Sequence, residues 1–496
     1  MIRTAHLFVI LLLPYCLAAQ LLRDGRDSLA IRQAVAFPEV NASIILSYNR
    51  SMLEPELPPE AQAPERSLEE LLLAYEDPKL ENDVQLLIDI YQSYYDQGKP
   101  DKGFPYLQKA YNYSVELYEA NPSNIEVLED ISYMMLTVGN LEGLPTLWEG
   151  FCQRQPKLAR ARAQLALYQL QTFQLDKAQR QLDTAYQLDP MDPNIYVTAL
   201  LFTTYRAMMQ LPAQRENYGL EELAKFELDL SFLERAEREN PKALRIKLAL
   251  KTAQLTALFY KVFFLELDQF SKKEPFQLRA KGAQLKALGA LERDYLELLQ
   301  EEPENPFLIY KSLVLLHILK GELAISQDYL AKAEAINAFD ADLYKMMGFA
   351  YLPEHKYHKA IPYYERATAI APEFEELFAL ARLYFENYEY EKSEKILVQL
   401  LQTAPDNYEL VEGLAAIYLR QDQYAKARGQ LKRFAQLYDE DLHLSKNSDY
   451  KFYQFLADFA LSPKAEAMQE KQLKGWVEDQ NSRFNAEAKQ LLKQFF

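Results

Sequence analysis

From Ser67 to the end of the chain, apolar residues recur at three- and four-residue spacing, in runs broken by short polar turns or prolines. That period places apolar side chains on one face of an α-helix, so the pattern predicts amphipathic helices paired as antiparallel hairpins. The clearest pair lies between Ala341 and Phe374. Its first helix offers Tyr344, Met347, Gly348 and Tyr351, and a polar turn follows near Pro353–His355. The second helix offers Tyr357, Ala360, Tyr364 and Ala367, and Pro372 stops it. Gly348, Ala360 and Ala367 are small enough for two helix backbones to approach closely, with the tyrosines filling the space around them. A single hairpin cannot cover its own apolar face, so the pattern predicts neighbours.

The neighbours are present. One unit upstream, Tyr310, Leu313, Leu330 and Ala333 occupy equivalent places, and the unit ends at Ala338. Downstream, Leu380, Ala381, Tyr384, Tyr390 and Pro405 repeat the pattern with Ser393 at a small place, and Leu414, Ala415, Tyr418, Tyr424, Ala427 and Leu431 repeat it again. Nearer the N-terminus, Ile131, Trp148, Phe151 and Pro156 form one unit, and Leu165, Ala166, Ala178, Leu182, Ala185 and Pro190 form the next. This alternation of small and large places resembles the tetratricopeptide repeat, a helix–turn–helix unit of about 34 residues. The resemblance implies an all-α fold, an α-solenoid superhelix of such hairpins, whose first helices line a concave groove for an extended peptide or a partner helix. Projected onto that face, the repeats give Lys345, Phe349, Phe378, Arg382 and Phe385 as candidate binding residues. Rings beside a guanidinium suit a peptide carrying apolar and acidic side chains. The competing expectation is that the rings pack between adjacent first helices. Members of the family that clamp a C-terminal carboxylate do so with paired lysines and asparagines; Lys345 is present here, but the asparagines are missing.

Taken in order, residues 1–19 have Arg3, a short apolar run through Leu7–Leu13 and small residues at Ala18 and Ala19, the pattern of a secretory signal peptide. Residues 20–66 read as an extended linker rich in Pro and Glu, and Ser67 with Glu70 forms a capping box that opens the helical region. Repeat-like hairpins are expected over 67–192. An irregular helical stretch with insertions follows over 193–306, where Pro212–Tyr218 reads as a loop and Phe270–Gln277 as a break. Regular repeats return over 307–441, and 442–496 should form capping helices, one with the stripe Phe484, Ala488, Leu491, Leu492 and Phe495.

Composition narrows the function. With 14 glycines among 496 residues, a glycine-rich phosphate loop or an all-β fold is disfavoured. A formal charge of −17 argues against a nucleic-acid partner, which requires clustered Lys and Arg. Of the two cysteines, Cys16 lies in the signal segment, which leaves Cys152 as a buried structural thiol. No HExxH, GxSxG or phosphate-loop motif occurs, and no metal or cofactor is expected. His355 and His358 have zinc-compatible spacing but sit at a repeat turn, where solvated polar residues are normal. The sequence therefore predicts an exported, non-catalytic scaffold of the periplasm or cell envelope, not transmembrane, that binds proteins or peptides. Two other readings are a helical-repeat enzyme with paired carboxylates in a pocket of the irregular middle, and a glycan binder with exposed tryptophans.

Overall fold

The computed structural model describes residues 67–96, 99–209, 227–271, 279–301, 303, 305–437, 448–461, 467–478 and 485–495. All regular secondary structure among these residues is helical, and the fold is an all-α helical-repeat solenoid. A lone helix α1 (Leu68–Tyr75) is followed by α2 (Val84–Asp96), α3 (Pro100–Ala120), α4 (Ile125–Thr137), α5 (Leu144–Arg154), α6 (Ala159–Gln171) and α7 (Leu175–Leu188). The middle contributes α8 (Pro193–Met209), α9 (Ser231–Glu239), α10 (Leu244–Ser271) and α11 (Gly282–Gln300). Regular hairpins resume with α12 (Phe307–Lys320), α13 (Leu323–Glu334), α14 (Ala341–Phe349), α15 (Tyr357–Ile370), α16 (Phe374–Glu386), α17 (Tyr390–Thr403), α18 (Tyr408–Arg420) and α19 (Tyr424–Leu437). Helices α20 (Ser448–Leu461), α21 (Ala467–Glu478) and α22 (Asn485–Phe495) complete the chain.

The expected signal segment, the expected 20–66 linker, the expected Pro212–Tyr218 loop, the part of the expected Phe270–Gln277 break from 272 on, Phe484 and the side chain of Phe495 lie outside the described residues. The chain divides into two compact units, and the division, between Met346 and Met347, falls inside α14.

Local chemistry sets the helix ends. Pro156, Pro190, Pro372 and Pro405 each stand two residues past the last residue of α5, α7, α15 and α17. A proline there forces its predecessor out of the helical region, so the helix cannot run on. Ser67 and Glu70 exchange both bonds of the capping box ahead of α1. Asn124 and Asn407 cap α4 and α18 by accepting backbone N–H groups of the first turn. Within the hairpins a single turn recurs. Gly139, Phe173, Gly321, His355, Tyr388 and Asp422 each hold a positive φ between a first and a second helix. The next residue's N–H then donates to the carbonyl five residues back, as from Glu389 to Tyr384 and from Gln423 to Tyr418 at 2.8 Å. This is the Schellman arrangement, which satisfies carbonyls at the helix end. One expectation is corrected here. Tyr351 is buried but follows α14 in the turn, because Pro353 disfavours helical geometry at Leu352 and the helix ends at Phe349.

The small places are tightly surrounded. Gly348 lies against Tyr364 and the Ala360 carbonyl, while Ala178, Ala185, Ala360, Ala367 and Ala427 are fully enclosed. Where serine replaces alanine, its hydroxyl donates to a first-helix carbonyl twelve residues earlier: Ser326 to Val314 at 2.9 Å and Ser393 to Ala381 at 2.7 Å. Tyrosines on first helices bind the preceding second helix, with Tyr384 donating to Glu365 at 2.5 Å and Tyr418 to Glu394 at 2.7 Å. In the first unit, Trp148 is fully buried and donates to Ser132 Oγ at 2.8 Å, with Phe151 and Cys152 beside it. In the second, Leu473, Ala488 and Leu491 of α21 and α22 close the core that begins on α16. Among the described helices, extensive packing joins only elements one or two apart in the chain. None is long and apolar enough to cross a membrane.

Candidate functional site

The first helices of the regular repeats are enclosed on nearly every side, yet they carry charges. In the first unit, Lys311 on α12 is fully buried, and its Nζ lies 2.6 Å from Asp340 and 3.9 Å from Asp342. Lys345 reaches Asp342 at 2.5 Å. Two lysines and two aspartates thus form one buried network. Such a network is expensive to desolvate and is held by mutual attraction together with further hydrogen bonds, one of them from the Leu343 N–H to Asp340 at 2.9 Å.

The second unit holds a different group. Along α16, Phe374 and Phe378 stack with centroids 6.2 Å apart, and Arg382, Phe385 and Glu386 continue that side toward the helix C-terminus. The Arg420 guanidinium from α18 lies 5.1 Å over the Phe385 ring. The charges of Arg382 and Arg420 both act on Glu386. Burial pushes its carboxyl above the usual range, and the two arginines pull it back only in part. His355, in the turn after α14, is held below its ordinary value by burial and by the nearby Arg382 charge. Two guanidiniums thus act on one reluctant carboxylate, and one of them lies over an aromatic ring.

Of the five expected groove residues, Lys345 falls in the first unit and the other four in the second. All are enclosed: Lys345 is 4% exposed, Phe349 8%, Phe378 4%, Arg382 7% and Phe385 1%. In this structure the rings are core, as the packing alternative expects, and none is offered on an open surface. Sequence reasoning missed Lys311, Asp340 and Asp342, although an Asp342–Lys345 pair on an otherwise apolar helix is a signal. It also missed Glu386 and Arg420, which no local pattern links.

The middle of the chain has an open cleft of about 400 Å³ between α7, α8 and α9. Its carboxylates, Asp183 and Asp229, are each ion-paired to an arginine. Asp229 is held below the usual range, chiefly by its hydrogen bonds to Ser231, so it does not suit the general-acid role of a glycosidase. Trp148 is buried, and Trp476 packs edge-on against Phe452 and Phe455. Among the described residues no cluster of His, Cys, Asp and Glu could hold a metal. His355 stacks on Tyr357, and His358 is exposed.

One family model matches a stretch of the chain, and several solved structures are similar to it. Residues 343–412 match a family described as "Tetratricopeptide repeat protein 21 forth ARM domain". No curated protein sequence gives a significant match. Among solved structures, the chain is similar to the APC/C hetero-tetramer Cut9–Hcn1, at 14% identity and a TM-score of 0.39, covering 85% of this chain and 63% of that one. It thus spans less than two thirds of that relative. It is similar to the human IFIT1 dimer with m7Gppp-AAAA, at 14% identity and a TM-score of 0.37, covering 92% and 94%. It is also similar to the P58(IPK) TPR domain, at 12% identity and a TM-score of 0.20, covering 76% and 98%.

Proposed function

Taking as premise that this chain is a tetratricopeptide-type helical-repeat protein, we propose that it is an exported, non-catalytic scaffold that holds partner proteins through the first-helix side of its second unit. One observation supports this reading above the rest. Arg382 and Arg420 are buried among apolar side chains, both charges act on the Glu386 carboxyl, and Arg420 lies over the Phe385 ring. A partner carboxylate could take the place of Glu386 with the two guanidiniums, while the partner's apolar side chain meets Phe385 and Phe378. Because Phe378, Arg382, Phe385 and Arg420 are enclosed, binding would require local opening of the α16–α18 face, so association should be slow for a protein pair. Export rests on the basic, apolar and small-residue pattern of residues 1–19, and the envelope or periplasm is the compartment it suggests.

The experiment is crosslinking in the native cells, then affinity purification of the mature chain beside Arg382→Met and Arg420→Met. Methionine keeps volume and removes charge, so packing is largely retained. The expected result is an envelope partner recovered with wild type and lost with both variants while helical content is unchanged. A partner held equally by both variants would move the interface elsewhere. N-terminal sequencing of the mature protein tests export directly: a chain that still begins at Met1 would refute it.

A further inference from the structure

The cleft of the first unit has a structural origin. Second helices of the regular repeats α15, α17 and α19 run 14 residues, whereas α9 has only nine. Among the described residues α9 packs on α8 far less extensively than α7 packs on α6. Ala199, Phe202, Thr203 and Arg206, which share one side of α8, form the floor, with Leu182 of α7 beside them.

Three guanidiniums line it. Arg206 pairs with Asp229 at 3.3 Å and Arg235 with Asp183 at 2.8 Å, all four side chains being substantially exposed. Such pairs exchange partners readily in water, and each guanidinium keeps further N–H donors. The Arg235 Nε is buried with no hydrogen-bond partner, while its guanidinium lies 5.3 Å over Phe232 and 5.5 Å over Tyr186. Arg238 is exposed at the rim and pairs with no carboxylate among the described residues. Three arginines against two aspartates make this a locally positive cleft with an aromatic wall, on a chain of formal charge −17.

We propose that this cleft docks an acidic peptide segment, with a carboxylate between Arg235 and Arg238 and a neighbouring apolar side chain on Phe232 and Phe202. A volume of about 400 Å³ suits one or two side chains rather than a folded domain. The acidic chain around the cleft repels long polyanions, so a single carboxylate in a short segment fits better than a nucleic-acid backbone. The stacked, pre-positioned Arg235 offers its remaining donors in a fixed fork, the geometry that favours a carboxylate. The site is independent of the Arg382–Arg420 group in the second unit and would give the scaffold a second place to hold a partner.

The test uses the full chain and fluorescence anisotropy with a fluorescein-labelled Glu-Phe-Glu-Leu peptide and its Gln-Phe-Gln-Leu counterpart. The glutamate probe should bind, and the glutamine probe should bind at least about tenfold more weakly. Arg238→Ala, which breaks no ion pair among the described residues, should weaken the glutamate probe about tenfold. Arg382→Met in the second unit should leave it unchanged, which separates failure here from failure of the scaffold reading. Equal binding of the two probes, or full binding by Arg238→Ala, overturns the proposal. Displacement by low millimolar inorganic phosphate would overturn it too, assigning the cleft to a small oxyanion.

Discussion

Gly348→Ala adds one methyl group where α14 meets α15. A Cβ built there stands 2.6 Å from both Cδ2 and Cε2 of Tyr364 and 3.4 Å from the Ala360 carbonyl oxygen. Carbon atoms in ordinary contact sit about 3.5–4.0 Å apart, so the methyl intrudes on the ring by roughly 1 Å. Tyr364 is 1% exposed and has no open side to swing toward, so the helices must separate. Overpacking of this kind costs about 1–3 kcal/mol, while replacing glycine by alanine inside a helix returns about 1 kcal/mol. The net expectation is a loss on the order of 1 kcal/mol. Placement of the tryptophans makes it measurable: Trp148 lies in the first unit and Trp476 in the second. In a Trp148→Phe background, Trp476 fluorescence during urea titration reports the second unit alone. Gly348→Ala should lower that midpoint, and in a Tyr364→Leu background the same change should be neutral or stabilising. A midpoint raised by alanine with Tyr364 in place would refute the close approach and the small-place reading on which the hairpin rests.

Lys311→Met should destabilise the first unit by about 3–5 kcal/mol, since it leaves Asp340 buried without its cation while Asp342 keeps Lys345; a circular-dichroism melt unchanged from wild type would show that the network is not enclosed. Burial pushes the Cys152 thiol up to about 11, so iodoacetamide at pH 8 should leave it unmodified in the native protein and label it in denaturant, with rapid native labelling as the contrary result. His355 is held below its ordinary value of 6.5, so the fold favours its neutral form. As the pH falls through that value the unfolded chain takes up the proton first, and this contribution to stability is lost in acid. Arg382→Met should raise the His355 midpoint in histidine NMR spectra, and an unmoved midpoint would place the guanidinium elsewhere.

The hairpins were legible because periodicity and proline act locally. Tyr364, Ala367 and Pro372 state within one helix which side faces inward and where the chain turns. Enclosure of the first helices was not, since periodicity says which side of α16 is apolar but not what lies over Phe378 and Arg382. The recurrent left-handed turn was hidden by residue type. Glycine announces it at Gly321, but His355, Tyr388 and Asp422 adopt the same backbone without that signal. The Arg382–Glu386–Arg420 group joins two helices through their register, which no single stretch encodes. The cleft is lined from α7, α8 and α9, and no single stretch of sequence brings those three together.

Packing confined to helices one or two apart has a mechanical meaning. Among the described helices no extensive packing fastens a distant part of either unit to another, so tension drawn along the chain meets its resistance one hairpin at a time. Each hairpin that gives way releases about 34 residues, on the order of 100 Å of extended chain, and leaves its inner neighbours paired. A protein built this way yields in steps under load and can re-form from whatever hairpins remain, as a spring does and a clasp does not.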